Sequence, residues 1–386
     1  MTADPPRRAP RHLPAPAAAS ATPGAPPRSR PPLEGPVLVH RAPGAPAHDR
    51  IAFLEAVRGI AAALVIAEHV LIGRSDAYLA WTLQNFSIGR AGVVAFFLVS
   101  GYVIPLSLAR QSVRTFAVRR FFRLYPTYWL ALAALVVLGV DVARGLAAHE
   151  VLANALMVQT LVAAPLLLGP AWTLSLELVY YAQSATAKRL GRLDRSTQLG
   201  WVWLGGYLAA AVVERVRGVD LPGTFALMLF CAALGHALHL RVSAGDGSWK
   251  PLLAASLVVV PAGALVGTGL DGGEPWSPLA LSASYAGGLL LFAGCAVLGR
   301  RSVPGALLRL GAISYALYVL HPAVGALLHD RLGLEGPLAL VLEIGGILVL
   351  ARLVHRFVEQ PSIRLGRRLT SPVPRRAPDP AEQGLP

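Results

Sequence analysis

The chain is poor in charge. Of its 386 residues only 15% are Asp, Glu, Lys or Arg, against about 25% in a soluble globular domain, which excludes an ordinary soluble enzyme. Lysine is nearly missing, confined to Lys188 and Lys250. Cysteine is equally scarce. Cys231 and Cys295 both fall inside apolar runs, so they give neither a disulfide framework nor metal-ligand spacing and read as packing residues. Zinc, iron–sulfur and phosphate-loop patterns are missing as well, so no metal and no bound cofactor is expected. What the chain has instead is apolar side chains, 54% of the total, with a mean hydropathy of +0.54. Disorder over most of its length is thereby excluded, and the composition describes an all-α polytopic membrane protein. The net charge of +14 is carried almost wholly by arginine. A basic chain raises the question of nucleic acid. Arginines in cytoplasmic loops and tails, holding topology and touching anionic membrane lipid, account for it better, and no nucleic-acid partner is expected.

Residues 1–49 are rich in Pro, Ala and Arg and contain no apolar run, which reads as a disordered tail without a signal peptide. Residues 370–386 have the same character, and the membrane domain is expected over 50–369. Apolar stretches lie near 53–72, 91–108, 126–143, 151–168, 171–187, 200–213, 222–240, 251–269, 278–298, 309–328 and 337–357, each close to the length needed to cross a bilayer. The stretch 151–168 is ambiguous, because Asn154, Gln159 and Pro165 interrupt it.

Loop charge arbitrates. If 151–168 does not span, ten helices place both termini in the cytoplasm. The inner loops then hold Arg110, Arg114, Arg119, Arg120 and Arg123, Lys188, Arg189, Arg192 and Arg195, Arg241 and Lys250, and Arg300, Arg301 and Arg309. The outer loops hold only Arg74, Arg90, Arg144, Arg215, Arg217 and Arg331. If it spans, every later loop flips and the excess moves outside, against the positive-inside rule. The ten-span arrangement is therefore expected, with 151–168 re-entrant or interfacial, in the plasma (inner) membrane of a cell.

Ionisable residues inside spans are costly and mark function. Arg58 and His69 lie eleven residues apart in the first span, within about 20° of three full helical turns, so they share one face about 16 Å apart. The bland alternative has Arg58 snorkelling to the inner surface and His69 in the outer interface. Glu177, in Trp172-Thr-Leu-Ser175-Leu-Glu177, lies about 9 Å below the outer end of its span. The topology thus brings a carboxylate to a depth similar to that of His69, an arrangement suited to general-base removal of a hydroxyl proton. Arg120 and Arg123, three apart where the third span enters from the cytoplasm, share a side of a helix and suit phosphate recognition, although the positive-inside rule explains some of these arginines too. His321, before Pro322, either lines a cavity or bonds at a kink. Glu343 has no evident partner and reads as structural, while His236, His239 and His355 lie near helix ends and read as interfacial.

In combination these motifs resemble the integral-membrane acyltransferase 3 family over about residues 50–369. The residues that carry the resemblance are Arg58 to His69, Gly92-Val93-Val94-Ala95-Phe96-Phe97-Leu98-Val99-Ser100-Gly101-Tyr102, Arg120 and Arg123 before Tyr125-Pro126, Trp172 to Glu177, Ile313-Ser314-Tyr315 through His321, and His355 to Pro361. Val94 and Leu178 stand where the family often has acidic residues, and Glu55 where Asp is more usual. The resemblance implies an O-acyltransferase drawing an acyl group, most often acetyl, from cytoplasmic acyl-CoA. The acceptor it implies is a hydroxyl of a glycan or small-molecule metabolite. Arg120 and Arg123 would hold the donor's phosphates, His69 would be the base, Glu177 would orient it, and Arg58 would neutralise developing charge. Ser100, Tyr102, Trp172, Tyr315 and His321 would line the cavity. Direct transfer and an acyl-enzyme both fit these residues. The competing reading is a transporter or flippase of a lipid-linked sugar, without acyl chemistry.

Overall fold

Backbone amides in an apolar environment must be paired within their own segment, and long runs of Leu, Val and Ala accordingly wind into helices. The computed structural model describes residues 47–219, 221–267, 276–299 and 302–371. The expected terminal tails, apart from residues 47–49, 370 and 371, and Arg300 and Arg301 lie outside the described residues. Fifteen α-helices follow one another: α1 (Ala47–Ile72), α2 (Asp76–Gln84), α3 (Ile88–Ala109), α4 (Val113–Val137), α5 (Asp141–Gly145), α6 (Ala148–Ala155), α7 (Trp172–Arg189), α8 (Leu199–Arg217), α9 (Gly223–Ala244), α10 (Trp249–Val266), α11 (Pro278–Leu298), α12 (Gly305–Ala312), α13 (Ser314–Gly325), α14 (Gly336–Val354) and α15 (Gln360–Leu369). No strand occurs among the described residues. Serines start several of them: the hydroxyls of Ser87, Ser112 and Ser277 accept from Arg90, Thr115 and Ala280 amides, satisfying donors that a helix start leaves open.

Among the described residues, five helices are long and apolar enough to cross a membrane, namely α3, α9, α10, α11 and the continuous Gly336–Leu369 segment. A sixth is obtained if α12 and α13, bent by 66° at Ile313, count as one. The other long helices, α1, α4, α7 and α8, carry more charge, including Glu55, Arg58, Arg120, Arg123 and Glu177. Leu257, Val258 and Leu265 on α10, Leu290 and Val297 on α11, and Leu338 and Val341 on α14 are all exposed. Rows of bare aliphatic side chains on successive helices are what contact with lipid, rather than water, permits.

α3 is packed on α1, α7, α9 and α11. The crossing of α3 and α9 is reciprocal: a Cβ on Gly101 would strike the Ala232 carbonyl, and one on Gly235 the Leu98 carbonyl. Small residues allow this backbone approach, the usual basis of close helix association in lipid. Glu68, buried in α1, accepts from the Ser87 hydroxyl at 2.5 Å and the Gly89 amide at 2.9 Å. Its carboxylate therefore caps the start of α3.

The ambiguous stretch 151–168 forms no continuous helix. α6 ends at Ala155, Met157 and Ala163 adopt left-handed φ values of 63° and 54°, and only a 3₁₀ turn, Gln159–Val162, intervenes. Asn154 folds the segment back on itself, donating to Pro165 O at 2.9 Å and accepting from Leu167 N at 3.0 Å. Tyr125, Tyr128 and Trp129 of α4 donate to the carbonyls of Leu156, Asn154 and Ala155. The third apolar stretch also differs from its expected bounds. α4 starts at Val113, so Arg119, Arg120 and Arg123 belong to the helix itself rather than to a loop before it.

Candidate active site

A cavity of about 540 Å³ is enclosed by α1, α3, α4, α7, α13 and α15. Gln111, Arg119 and Arg367 stand at its arginine-rich end, where α3 stops and α4 begins. Glu55, Arg58, Ser100, Arg120, Arg123, Glu177, Tyr181, Ser314 and Tyr315 line its middle, and Phe96, Thr173 and Tyr318 border the far end. Five arginines against two carboxylates give the walls a positive excess, which favours an anionic occupant. Val99, Val103, Ile104 and Leu174 supply apolar wall between the charges.

Arg58, Arg120 and Arg123 are each held in place. Arg58 pairs with Glu55 one turn earlier at 3.1 Å. Arg120 lies over the rings of Phe116 at 5.2 Å and Tyr181 at 5.3 Å, a cation–π setting that fixes the guanidinium without spending its donors. Arg123 forms an ion pair at 3.5 Å with Glu359, whose side chain is fully buried. The second Glu359 oxygen accepts from His355 Nδ1 at 3.0 Å, and Gln360 bonds His355 Nε2 at 3.1 Å. Glu177 accepts from the Tyr181 hydroxyl at 2.5 Å and from Ser100 at 3.4 Å. The Tyr315 ring lines the cavity while its hydroxyl donates to Leu124 O at 2.8 Å, tying α13 to α4. Ser314, at the first position of α13, is buried with its hydroxyl unpartnered.

His69 and His321 sit together, apart from the cavity lining, with ring centroids 4.9 Å apart and planes inclined by 60°. His69 Nδ1 is 2.8 Å from Val65 O. A carbonyl can only accept, so Nδ1 carries the proton and the neutral ring keeps its lone pair on Nε2. Tyr318 links the histidines to the cavity: its ring is 6.3 Å from that of His321 and 5.7 Å from Phe96. Its hydroxyl is 2.8 Å from Thr173 Oγ1 and 3.1 Å from Pro170 O.

Arg58, Arg120, Arg123, Ser100, Glu177 and Tyr315 thus converge on one cavity. The expected contact of Glu177 with His69 is not formed. Glu177 is engaged by Tyr181 and Ser100, and the neighbour of His69 is His321. Three residues expected to line the cavity stand elsewhere: His321, beside His69, Tyr102 and Trp172. Tyr102 packs on Phe53 at 5.8 Å and His239 at 4.9 Å, and Trp172 stacks on Phe225 at 6.1 Å, because their positions on α3 and α7 turn them towards α9. Glu343 does have partners, Arg74 Nη2 at 2.5 Å and His329 Nε2 at 3.2 Å. His236 is buried in α9 beside Ser196, and His355 is held by Glu359 and Gln360 within the continuous Gly336–Leu369 segment. The Ser196 hydroxyl donates to Leu193 O at 2.7 Å, so it accepts from His236 at 3.1 Å and is no activated nucleophile. Tyr181 escaped the sequence reading, and Glu55 was given no role there, although helical spacing of four and three residues from Glu177 and Arg58 would have found both contacts. Glu359 lies four residues after His355, which it bonds, but its pairing with Arg123 on another helix had no such local signal.

The model of the acyltransferase domain, type 3, matches residues 51–355, most of the chain and all of the helices around the histidine pair. The chain belongs to the acyltransferase 3 family. This acyltransferase is 28% identical over 311 residues to the exopolysaccharide production protein ExoZ of Rhizobium meliloti (strain 1021), an alignment covering 74% of the present chain and 93% of ExoZ. No solved structure matches it. With its exposed apolar helices, the acyltransferase is a multi-pass membrane protein.

Proposed function

We propose that this acyltransferase moves an acyl group, acetyl in the simplest case, from acyl-CoA to a hydroxyl of a surface polysaccharide. The observation that carries the reading is the cavity. It is positively charged at the end where α3 meets α4, apolar along part of its wall, and separated by Tyr318 from a pair of histidines. Arg120 and Arg123 hold the donor's phosphates, and the pantetheine arm extends towards Phe96 and Tyr318. The arginine-rich end then faces the cytoplasm, with ten spans and both termini inside. His69, eleven residues and about 16 Å beyond Arg58, is exposed and meets the acceptor near the opposite helix ends. ExoZ's role in exopolysaccharide production supports a polysaccharide acceptor.

The Nε2 lone pair of His69 takes the hydroxyl proton as the oxygen attacks the thioester carbonyl. The carbon–sulfur bond breaks, and the proton passes from His69 to the departing thiolate, giving ester and free thiol. Glu177, anchored by Tyr181 and Ser100, balances charge among Arg58, Arg120 and Arg123 rather than orienting His69. The test is thiol release from acetyl-CoA by the full chain in lipid nanodiscs, with the exopolysaccharide of the producing cells as acceptor. Release that requires His69 supports the reading. Absence of release from acetyl-, propionyl- and longer acyl-CoA refutes it.

A further inference from the structure

His321 is a buried polar residue that this scheme leaves unused. It is 3% exposed, and neither ring nitrogen makes a hydrogen bond. The carbonyls of Leu317 and Tyr318 lie near the ring without meeting hydrogen-bond geometry, although Pro322 supplies no amide to compete for the latter. Buried polar atoms are nearly always paired, and one that is not calls for a role. A histidine kept for packing alone would be expected to satisfy at least one nitrogen. This one has both free, next to the candidate base.

The two rings are tilted, not stacked, with centroids 4.9 Å apart. A carbonyl group bound against the pair therefore lies close to both rings. No carboxylate bonds to either ring among the described residues, so nothing nearby supports two imidazolium charges at that separation. When His69 takes a proton, His321 stays a neutral donor. Resting on the acyl-CoA reading above, we propose that His321 is a second catalytic residue, whose ring N–H donates to the thioester carbonyl oxygen as it becomes an oxyanion. The electrons balance as follows. The acceptor oxygen bonds the carbonyl carbon, the carbonyl π pair moves to the oxygen facing His321, and His69 Nε2 takes the hydroxyl proton. On collapse the carbon–sulfur pair leaves with sulfur, and His69 protonates it.

A donor aimed at the developing oxyanion is worth about 100- to 1,000-fold in kcat. The experiment uses the full chain in nanodiscs, acetyl-CoA and the native exopolysaccharide, with thiol release as the readout. His321→Phe keeps the ring and removes both nitrogens. We expect kcat to fall by that factor while the KM for acetyl-CoA stays near the wild-type value. His321→Gln restores an N–H and should recover at least about tenfold over His321→Phe, part of the oxyanion-donor factor. His321→Phe at wild-type kcat overturns the proposal, as do His321→Phe and His321→Gln variants that bind acetyl-CoA normally and are equally inactive. A wild type that releases no thiol from any acyl-CoA instead overturns the donor reading on which the proposal stands.

Discussion

Arg120→Ala gives the sharpest test of the donor site. Arg120 is half-buried, pinned between the Phe116 and Tyr181 rings at 5.2 and 5.3 Å, and makes no ion pair of its own among the described residues. Its donors are therefore available to a ligand. A hydrogen bond to a charged group contributes about 1.5–3 kcal/mol. Because Arg120 is only half-buried, the lower part of that range applies, about 1.5–2 kcal/mol, or roughly 12- to 30-fold in affinity. The assay compares the KM of acetyl-CoA with that of S-acetyl-pantetheine, which carries the same thioester arm without phosphates. Arg120→Ala should raise the first by that factor and leave the second unchanged. Arg120→Lys should recover part of the loss, because an ammonium supplies charge but not the planar fork. Equal losses for both donors would refute phosphate recognition by this arginine, and so would an unchanged KM for acetyl-CoA.

Other expectations follow from the same geometry. His69→Ala should lower thiol release by about 10²–10⁴-fold while the protein still inserts and binds donor; activity within a few-fold of wild type would exclude His69 as the base. Gly101→Ala should push α3 away from the Ala232 carbonyl and cost about 1–3 kcal/mol through overpacking, measurable as a lower midpoint of thermal unfolding in detergent; an unchanged midpoint would mean that the crossing yields more easily than its spacing implies. Glu343→Gln removes the charge that pairs with Arg74 and His329. It should cost about 3 kcal/mol in the same unfolding assay with donor KM unaltered, because this cluster lies away from the cavity, and a KM change would argue against that separation.

Much of this protein can be read from the order of its residues alone. Composition and run length decide a helical membrane protein, because an apolar medium leaves the backbone few other options. Arg58 and His69 are fixed on one face by helical periodicity, and the motif set is specific enough to name the family. Even the failure of 151–168 to form a single helix was signalled by Asn154, Gln159 and Pro165, the first of which makes the bonds that fold the segment back. The pairing of side chains from distant helices was not legible. Glu177 and His69 share a depth, but rotation about each helix axis decides who meets whom, and loop lengths and charge counts carry no information about rotation. The packing of α3 on α7 brings Ser100 to Glu177, and that of α1 on α13 brings His321, 252 positions along the chain from His69, against that ring. The same holds for Glu359 on Arg123 and Glu343 on Arg74. A buried carboxylate must find a cation, but which one is decided only when the helices pack.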